Sequence, residues 1–422
     1  MPSKANLSLS DLAVNETFFA FRKKCLPFVA VTWGFCAFFP IGVMYLNLCL
    51  MLLALGLVPS VMLRVRRLLR QPVLLPIALM LGWTILSVGV GDWFPDTTTR
   101  LFHIFRVALV LCIGLMLTPG EARMALAGFL GAAICAALLI AAHHIWGMPD
   151  WAIWNGLLSS RNNFSSGNMI TLATASGVFF FLGMRKDRRH EDLWLGLGAG
   201  LALGIVVALH AVSRNSQLLL VLLLMMAVLC RFRSLRAAIL GLAAVVALAV
   251  SMWQFSPQTQ SRFHELVSNL QAAEVGGSYA TSGGVRWRMY QEAAQSMMAH
   301  PVFGMGLGSW LPHWREVWLD LEKDGSPAVK RQFSEINNPH NDFLLTGMET
   351  GVPGMLILVW LMARFVRTGW RQDSAAGSIT VVIGTSVFAT ALVNAPFRDA
   401  ALGMTLLWLL AVSVAAHGES NE

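Results

Sequence analysis

Apolar runs of about 20 residues, each separated by a short polar cluster, fill most of the chain, the length that spans a bilayer core as a helix. Twelve such spans are expected, at roughly 25–39, 41–63, 72–91, 101–118, 122–146, 165–184, 192–212, 216–230, 236–255, 342–364, 375–394 and 400–416. The runs are too long and too uninterrupted for the alternation of a membrane β-barrel. One polar excursion, roughly 256–340, breaks the series. Three segments follow: transmembrane helices 1–9 in 1–255, a loop subdomain with short helices in 256–340, and transmembrane helices 10–12 in 341–422.

The long loop carries structural signals of its own. Ser282-Gly283-Gly284 precedes a helix expected from Val285 to Ala299, which stops at His300-Pro301. Trp310, Trp314 and Trp318 recur at helical spacing, and the stripe suits a helix lying at the membrane interface. No internal repeat and no low-complexity tract is evident.

Composition strengthens the membrane reading. The chain is 56% hydrophobic and 13% charged, where soluble domains carry about 25% charged residues. The net charge of +8 does not point to nucleic acid, because most of the 31 lysines and arginines sit in clusters between spans. Arg64, Arg66, Arg67 and Arg70 form one cluster; Arg185, Lys186, Arg188 and Arg189 another; Arg364, Arg367 and Arg371 a third. These alternate with short loops holding only Arg100, Arg161, Arg214 and Arg398. The positive-inside rule then puts both termini in the cytoplasm and the long loop outside it. The six cysteines fall in or beside spans, so neither a disulfide nor a zinc site is expected. No cleavable signal peptide is evident, and the first span is expected to be an uncleaved anchor.

The candidate chemistry lies on the outer side. Arg161, Arg214, Arg286 and Arg288 offer planar donor forks that fit phosphate oxygens. Several of them at one pocket could bind a pyrophosphate and stabilise it as a leaving group. The same arginines also fit snorkelling to lipid phosphate. Arg286 and Arg288 are two apart on a helix, so one is expected to face the site and the other a structural partner. His340, in Asn338-Pro339-His340-Asn341, stands at the mouth of a span and could act as a general base, or as a hydrogen-bonded interface histidine. Glu349 is an intramembrane carboxylate expected to orient His340 or an arginine, or to cap a helix break at Gly351-Val352-Pro353-Gly354. No metal-ligand constellation and no P-loop appears, so no metal or other cofactor is expected.

Taken in order, these pieces are Ser213-Arg214, Arg286 with Tyr290, His300-Pro301 with Gly304, Gly306 and Gly308, His340-Asn341, and Glu349 with Gly351 and Gly354. The series resembles the O-antigen ligase and O-antigen polymerase superfamily. Relatives often have Trp where Tyr290 stands; the N-terminal spans match in hydropathy alone. The resemblance implies an all-α, GT-C-like membrane glycosyltransferase of the bacterial inner membrane, inverting and metal-independent, with its site facing the periplasm. Its donor would be a glycan on undecaprenyl pyrophosphate. The family's functional residues carry over to Arg214, Arg286 and His340; Arg161 and Arg288 are added from position and chemistry, and Tyr290, Asn338, Asn341 and Glu349 as supporting residues. Three activities compete: ligation to lipid A–core oligosaccharide, polymerisation on the lipid carrier, and transfer to a protein hydroxyl. The single late loop and compact length favour the ligase. A transporter of lipid-linked sugars is the alternative from another class, but it would place its polar residues at the bilayer midplane, often in repeated halves.

Overall fold

A computed structural model describes residues 24–146, 168–177, 202–205, 214–232, 234–255, 282–323, 333–372 and 374–417, together with 198, 200, 260, 261, 264, 267, 268 and 271. The helices with defined ends are α1 (Lys24–Cys36), α2 (Ile41–Leu57), α3 (Val61–Leu69), α4 (Leu74–Val90), α5 (Thr97–Leu115), α6 (Pro119–Trp146), α7 (Arg214–Arg231), α8 (Leu235–Phe255), α9 (Ser282–Ala299), α10 (Trp310–Lys323), α11 (Asp342–Arg371), α12 (Ala375–Val393) and α13 (Ala400–Ala415). Among the described residues four helices are long and apolar enough to cross a membrane: Thr97–Leu115, 119–143, Asp342–Arg371 and Ala375–Val393. Shorter apolar helical stretches are Lys24–Cys36, Leu74–Val90, Asn215–Arg231, Leu235–Ser251 and Leu402–Ala415. The spans expected at 165–184 and 192–212 fall largely outside the described residues.

The expected span 41–63 needs correction. It ends at Leu57, and α3 leaves it at 107°. Val58, the residue before Pro59, is extended, because the residue before a proline is pushed out of helical geometry. α3 then carries Arg64, Arg66 and Arg67, too many charges to continue through a bilayer.

The core centres on α13, which packs against α5, α6 and α12. Leu402, Met404, Leu406, Trp408, Leu410 and Val412 are all buried there, and Trp408 stacks on Trp33 of α1 with ring centroids 5.1 Å apart. α11 packs along α12 and α4. Small residues let backbones approach: a Cβ on Gly34 of α1 would lie 2.3 Å from Phe129 N of α6.

The bundle has two chemically distinct ends. At one, Arg64 forms a bidentate pair with Glu121, at 2.7 and 2.9 Å, and also donates to Met116 O at 3.1 Å. There Arg364 donates to Pro72 O at 3.2 Å, and Ser374 Oγ lies 3.0 Å from His417 Nδ1. The other end gathers the 91–96 turn, the 301–308 loop, the start of α11, the 394–399 turn, and the loop helices α9 and α10.

The tryptophan stripe faces protein rather than lipid. Trp310, Trp314 and Trp318 are fully buried and meet in sequence, the first pair stacked at 5.5 Å between centroids and the second tilted at 5.6 Å. They form a second apolar core with Val285, Met289 and Ala293 of α9 and Leu345 and Met348 of α11. Two indole N–H groups, of Trp310 and Trp314, donate to the carbonyls of Ile336 and Phe333 at 2.9 and 2.8 Å. Helical spacing made the stripe visible, but spacing alone does not say whether a stripe faces lipid or protein.

Candidate functional site

The 301–308 loop is a docking seam. Gly304, Gly306, Gly308 and Gly351 all adopt positive φ, at 71°, 105°, 88° and 78°. Gly351 interrupts α11, and Pro353 two residues later has no N–H to continue the helix. The backbone groups released there find partners across the seam: Val352 N donates to Pro301 O at 2.9 Å, Met305 N to Met348 O at 2.8 Å, and Trp83 Nε1 to Thr350 O at 2.8 Å. A Cβ on Gly351 would lie 2.1 Å from Val302 O, so only glycine permits this approach. Thr97 closes the third side by donating to Leu307 O at 2.6 Å.

Glu349 sits beneath this seam, buried, with one carboxylate oxygen taken by Arg100 of α5. Arg100 Nε and Nη2 reach Oε1 at 2.9 and 2.8 Å, and Gly308 N adds a third bond at 3.3 Å. Glu349 therefore pairs with an arginine at the helix break. Arg398 works beside it. Its guanidinium donates to Asn337 O and pairs with Asp96 at 3.2 Å, joining three loops. Arg106, also buried in α5, holds the same turn by donating to Arg398 O at 2.9 Å. Asp342 accepts from Phe397 N at 2.8 Å, which ties the turn to the start of α11.

His340 stands just before α11 in a left-handed backbone conformation, φ 54°, which is uncommon for a residue with a side chain. Its neighbours hold it there. Asn338 Oδ1 accepts from His340 N at 2.9 Å, and Tyr290 OH donates to His340 O at 3.3 Å. Asn341 caps α11 by accepting from Leu344 N at 3.0 Å and anchors the cap by donating to Leu392 O at 3.0 Å. The ring itself meets Asn394, with Nδ1 3.4 Å from Oδ1. Burial first, and then the Arg286 guanidinium, hold the imidazole down to about 4, against a smaller opposing effect of Asn394. His340 is thus a neutral imidazole at neutral pH. Burial also pushes the Tyr290 phenol up, opposed by the same Arg286.

The arginines divide. Arg286 lies on the exposed face of α9, close enough for its charge to act on both His340 and Tyr290. Arg288 turns to Glu292, at 2.6 Å, and Glu292 also meets His313 at 3.4 Å. That hydrogen bond to His313, with the Arg288 charge in support, keeps the Glu292 carboxyl below the usual range despite burial. Arg214 opens α7; its side chain, and the whole of Arg161, lie outside the described residues. Among the described residues no three His, Cys, Asp or Glu side chains come together as a metal site.

The structure thus brings together Arg286, Tyr290, Asn338, His340 and Asn341. It adds groups that sequence alone does not single out: Asn394, Asp96 and Asp342, with Arg100 and Arg398 visible there only as loop cations. Their polarity at the ends of spans was the one available signal.

These helices and this site belong to a membrane protein whose loop subdomain is docked on one end of its bundle. The family model described as O-Antigen ligase matches residues 199–359, which places that region in the O-antigen ligase and polymerase superfamily. The match runs from before α7 through the kink of α11, so it includes Arg214, Arg286, His340 and Glu349. No curated protein matches the chain.

Proposed function

We propose that the protein is an O-antigen ligase of the bacterial inner membrane. It transfers a glycan from undecaprenyl pyrophosphate to a hydroxyl of lipid A–core oligosaccharide on the periplasmic face. The observation that carries this reading is the neutral His340, clamped at the mouth of α11 beside the cationic Arg286, both inside the region matched by the O-Antigen ligase model.

The chemistry follows from that pair. The acceptor oxygen attacks the anomeric carbon as the bond from that carbon to the pyrophosphate oxygen breaks on the opposite face, inverting the configuration. His340 takes the hydroxyl proton as the new bond forms, worth about 10²–10⁴-fold. The pyrophosphate leaves with both bond electrons. Arg286 and Arg214 stabilise that charge, with Arg161 as a further candidate, so a divalent cation is not needed. Arg288, held by Glu292, fixes the first turns of α9 so that Arg286 stays on the site side.

The test is reconstitution in detergent with a lipid-linked glycan donor, lipid A–core acceptor and excess EDTA. Glycosylated lipid A–core is the expected product. Longer glycan on the lipid carrier would make the protein a polymerase, and transfer to a protein hydroxyl would make it an oligosaccharyltransferase. Activity lost to EDTA and restored by Mg²⁺ would overturn the metal-free mechanism.

A further inference from the structure

The proposed reaction needs a lone pair on His340 aimed at the acceptor hydroxyl. A neutral imidazole has two tautomers, and the proton's position is set by whatever the other nitrogen touches. Among the described residues one ring nitrogen is engaged. His340 Nδ1 lies 3.4 Å from the side-chain oxygen of Asn394, 54 residues further along the chain. An amide oxygen only accepts, so with that oxygen turned to the ring Nδ1 carries the hydrogen and donates. The lone pair then falls on Nε2.

Asn394 is well placed to impose this. It ends α12, where its N–H donates to Thr390 O at 2.8 Å. The turn it begins is held by Asp342, which accepts from Phe397 N, and by Arg106, which accepts nothing but donates to the carbonyl of Arg398. The histidine is held from its own side as well, through Asn338 and Tyr290. Both partners of the Nδ1 contact are therefore fixed to the same helix ends.

We infer that Asn394 is a positioning residue for the transfer reaction, fixing His340 as the Nδ1–H tautomer with Nε2 free to accept the acceptor proton. This rests on the base role proposed for His340. Asn394 touches neither substrate in this account; it acts through the ring.

The test uses the full-length protein in detergent and compares His340→Ala, Asn394→Leu and Asn394→Asp. Lipid-donor binding and kcat are measured for each, with the pH profile of kcat for the aspartate variant. Asn394→Leu should lower kcat by about 10²-fold, within the general-base range, and leave donor binding within threefold. Asn394→Asp retains an acceptor at the same place and should recover most of that loss. It also puts a carboxylate against a ring whose other charged neighbour among the described residues is Arg286, with the Tyr290 phenol on the same helix. The acid limb should then move upward by ~1 pH unit or more. A role confined to capping α12 would not move that limb. Coincident acid limbs for Asn394→Asp and the wild type, or kcat within threefold in a folded Asn394→Leu, would overturn the inference. The two levels separate through His340→Ala: turnover in that variant rejects the base role itself. An inactive His340→Ala beside an unmoved limb in Asn394→Asp rejects only the positioning role.

Discussion

At His340, burial and a nearby guanidinium act in the same direction: both disfavour the protonated ring. The sign of the pH dependence follows. The imidazole is a proton acceptor at every pH above its own value of about 4, and it is lost as a base only as pH falls through that value. The rate should therefore persist well below 6.5, where a free histidine would already be charged. Removing the cation in Arg286→Gln should raise the ring's pKa and shift the acid limb of the residual kcat towards 6.5, while weakening donor binding. A wild-type limb near 6.5 would mean that water reaches the ring. Glu349 gives a second residue-scale prediction. It and Arg100 are buried together, so Glu349→Ala leaves an uncompensated guanidinium and should cost about 3–5 kcal/mol. The paired replacement Arg100→Met with Glu349→Leu removes both charges and should recover most of that loss in a thermal unfolding cycle. If the double variant is as unstable as the single, the pair contributes more than charge compensation. Glu349 and His340 were visible in the sequence because a carboxylate inside a span and a histidine before one are unusual there. Their partners were not visible. Arg100 is 249 residues from Glu349, and Asn394 is an ordinary residue at the end of a helix until the fold brings it to the ring.

Among the elements, the seam between the 301–308 loop and the kink of α11 decides whether the loop subdomain sits on the bundle. Four positive-φ glycines concentrate there, and each approaches foreign backbone or a ring too closely for a Cβ. Gly351→Ala would place a methyl 2.1 Å from Val302 O at φ 78°. The backbone strain alone is about 1–3 kcal/mol, and the clash adds to it. Transfer should fall by more than tenfold and the melting temperature should drop. Gly42→Ala in α2 meets nothing within 4 Å and should leave both unchanged, which makes it the control. Equal behaviour of the two variants would count against the seam. Gly304, Gly306 and Gly308 are plain in the sequence after His300-Pro301. Their use as a joint emerges only when Val352, Met305 and Trp83 exchange backbone bonds across it. The tryptophan stripe teaches the same limit from the apolar side. Periodicity of 3.6 identifies a helix face, but lipid and a second protein layer are equally apolar, so burial in the α9–α11 core could not be read from it.

Across the whole molecule, charge separates the two ends. The end without the site carries Arg64, Arg66, Arg67 and Arg70 on and after α3, and Arg364, Arg367 and Arg371 at the close of α11. Among the described residues the site end has few cations in its short turns, and Arg398 there is tied to Asp96. Under the positive-inside rule the proposed topology has the first end in the cytoplasm and the site on the periplasmic side. Two surface positions test this directly. Gln295 on α9 is exposed at the site end, and Arg70 is exposed just after α3. With the six native cysteines replaced and transfer activity retained, Gln295→Cys should react with a membrane-impermeant thiol reagent in intact spheroplasts. Arg70→Cys should react only after lysis. Donor and acceptor glycans would then meet the same compartment as His340. The reverse labelling pattern would put His340 and Arg286 in the cytoplasm, away from a periplasmic acceptor, and the ligase reading would fail even if the purified protein transferred glycan in detergent.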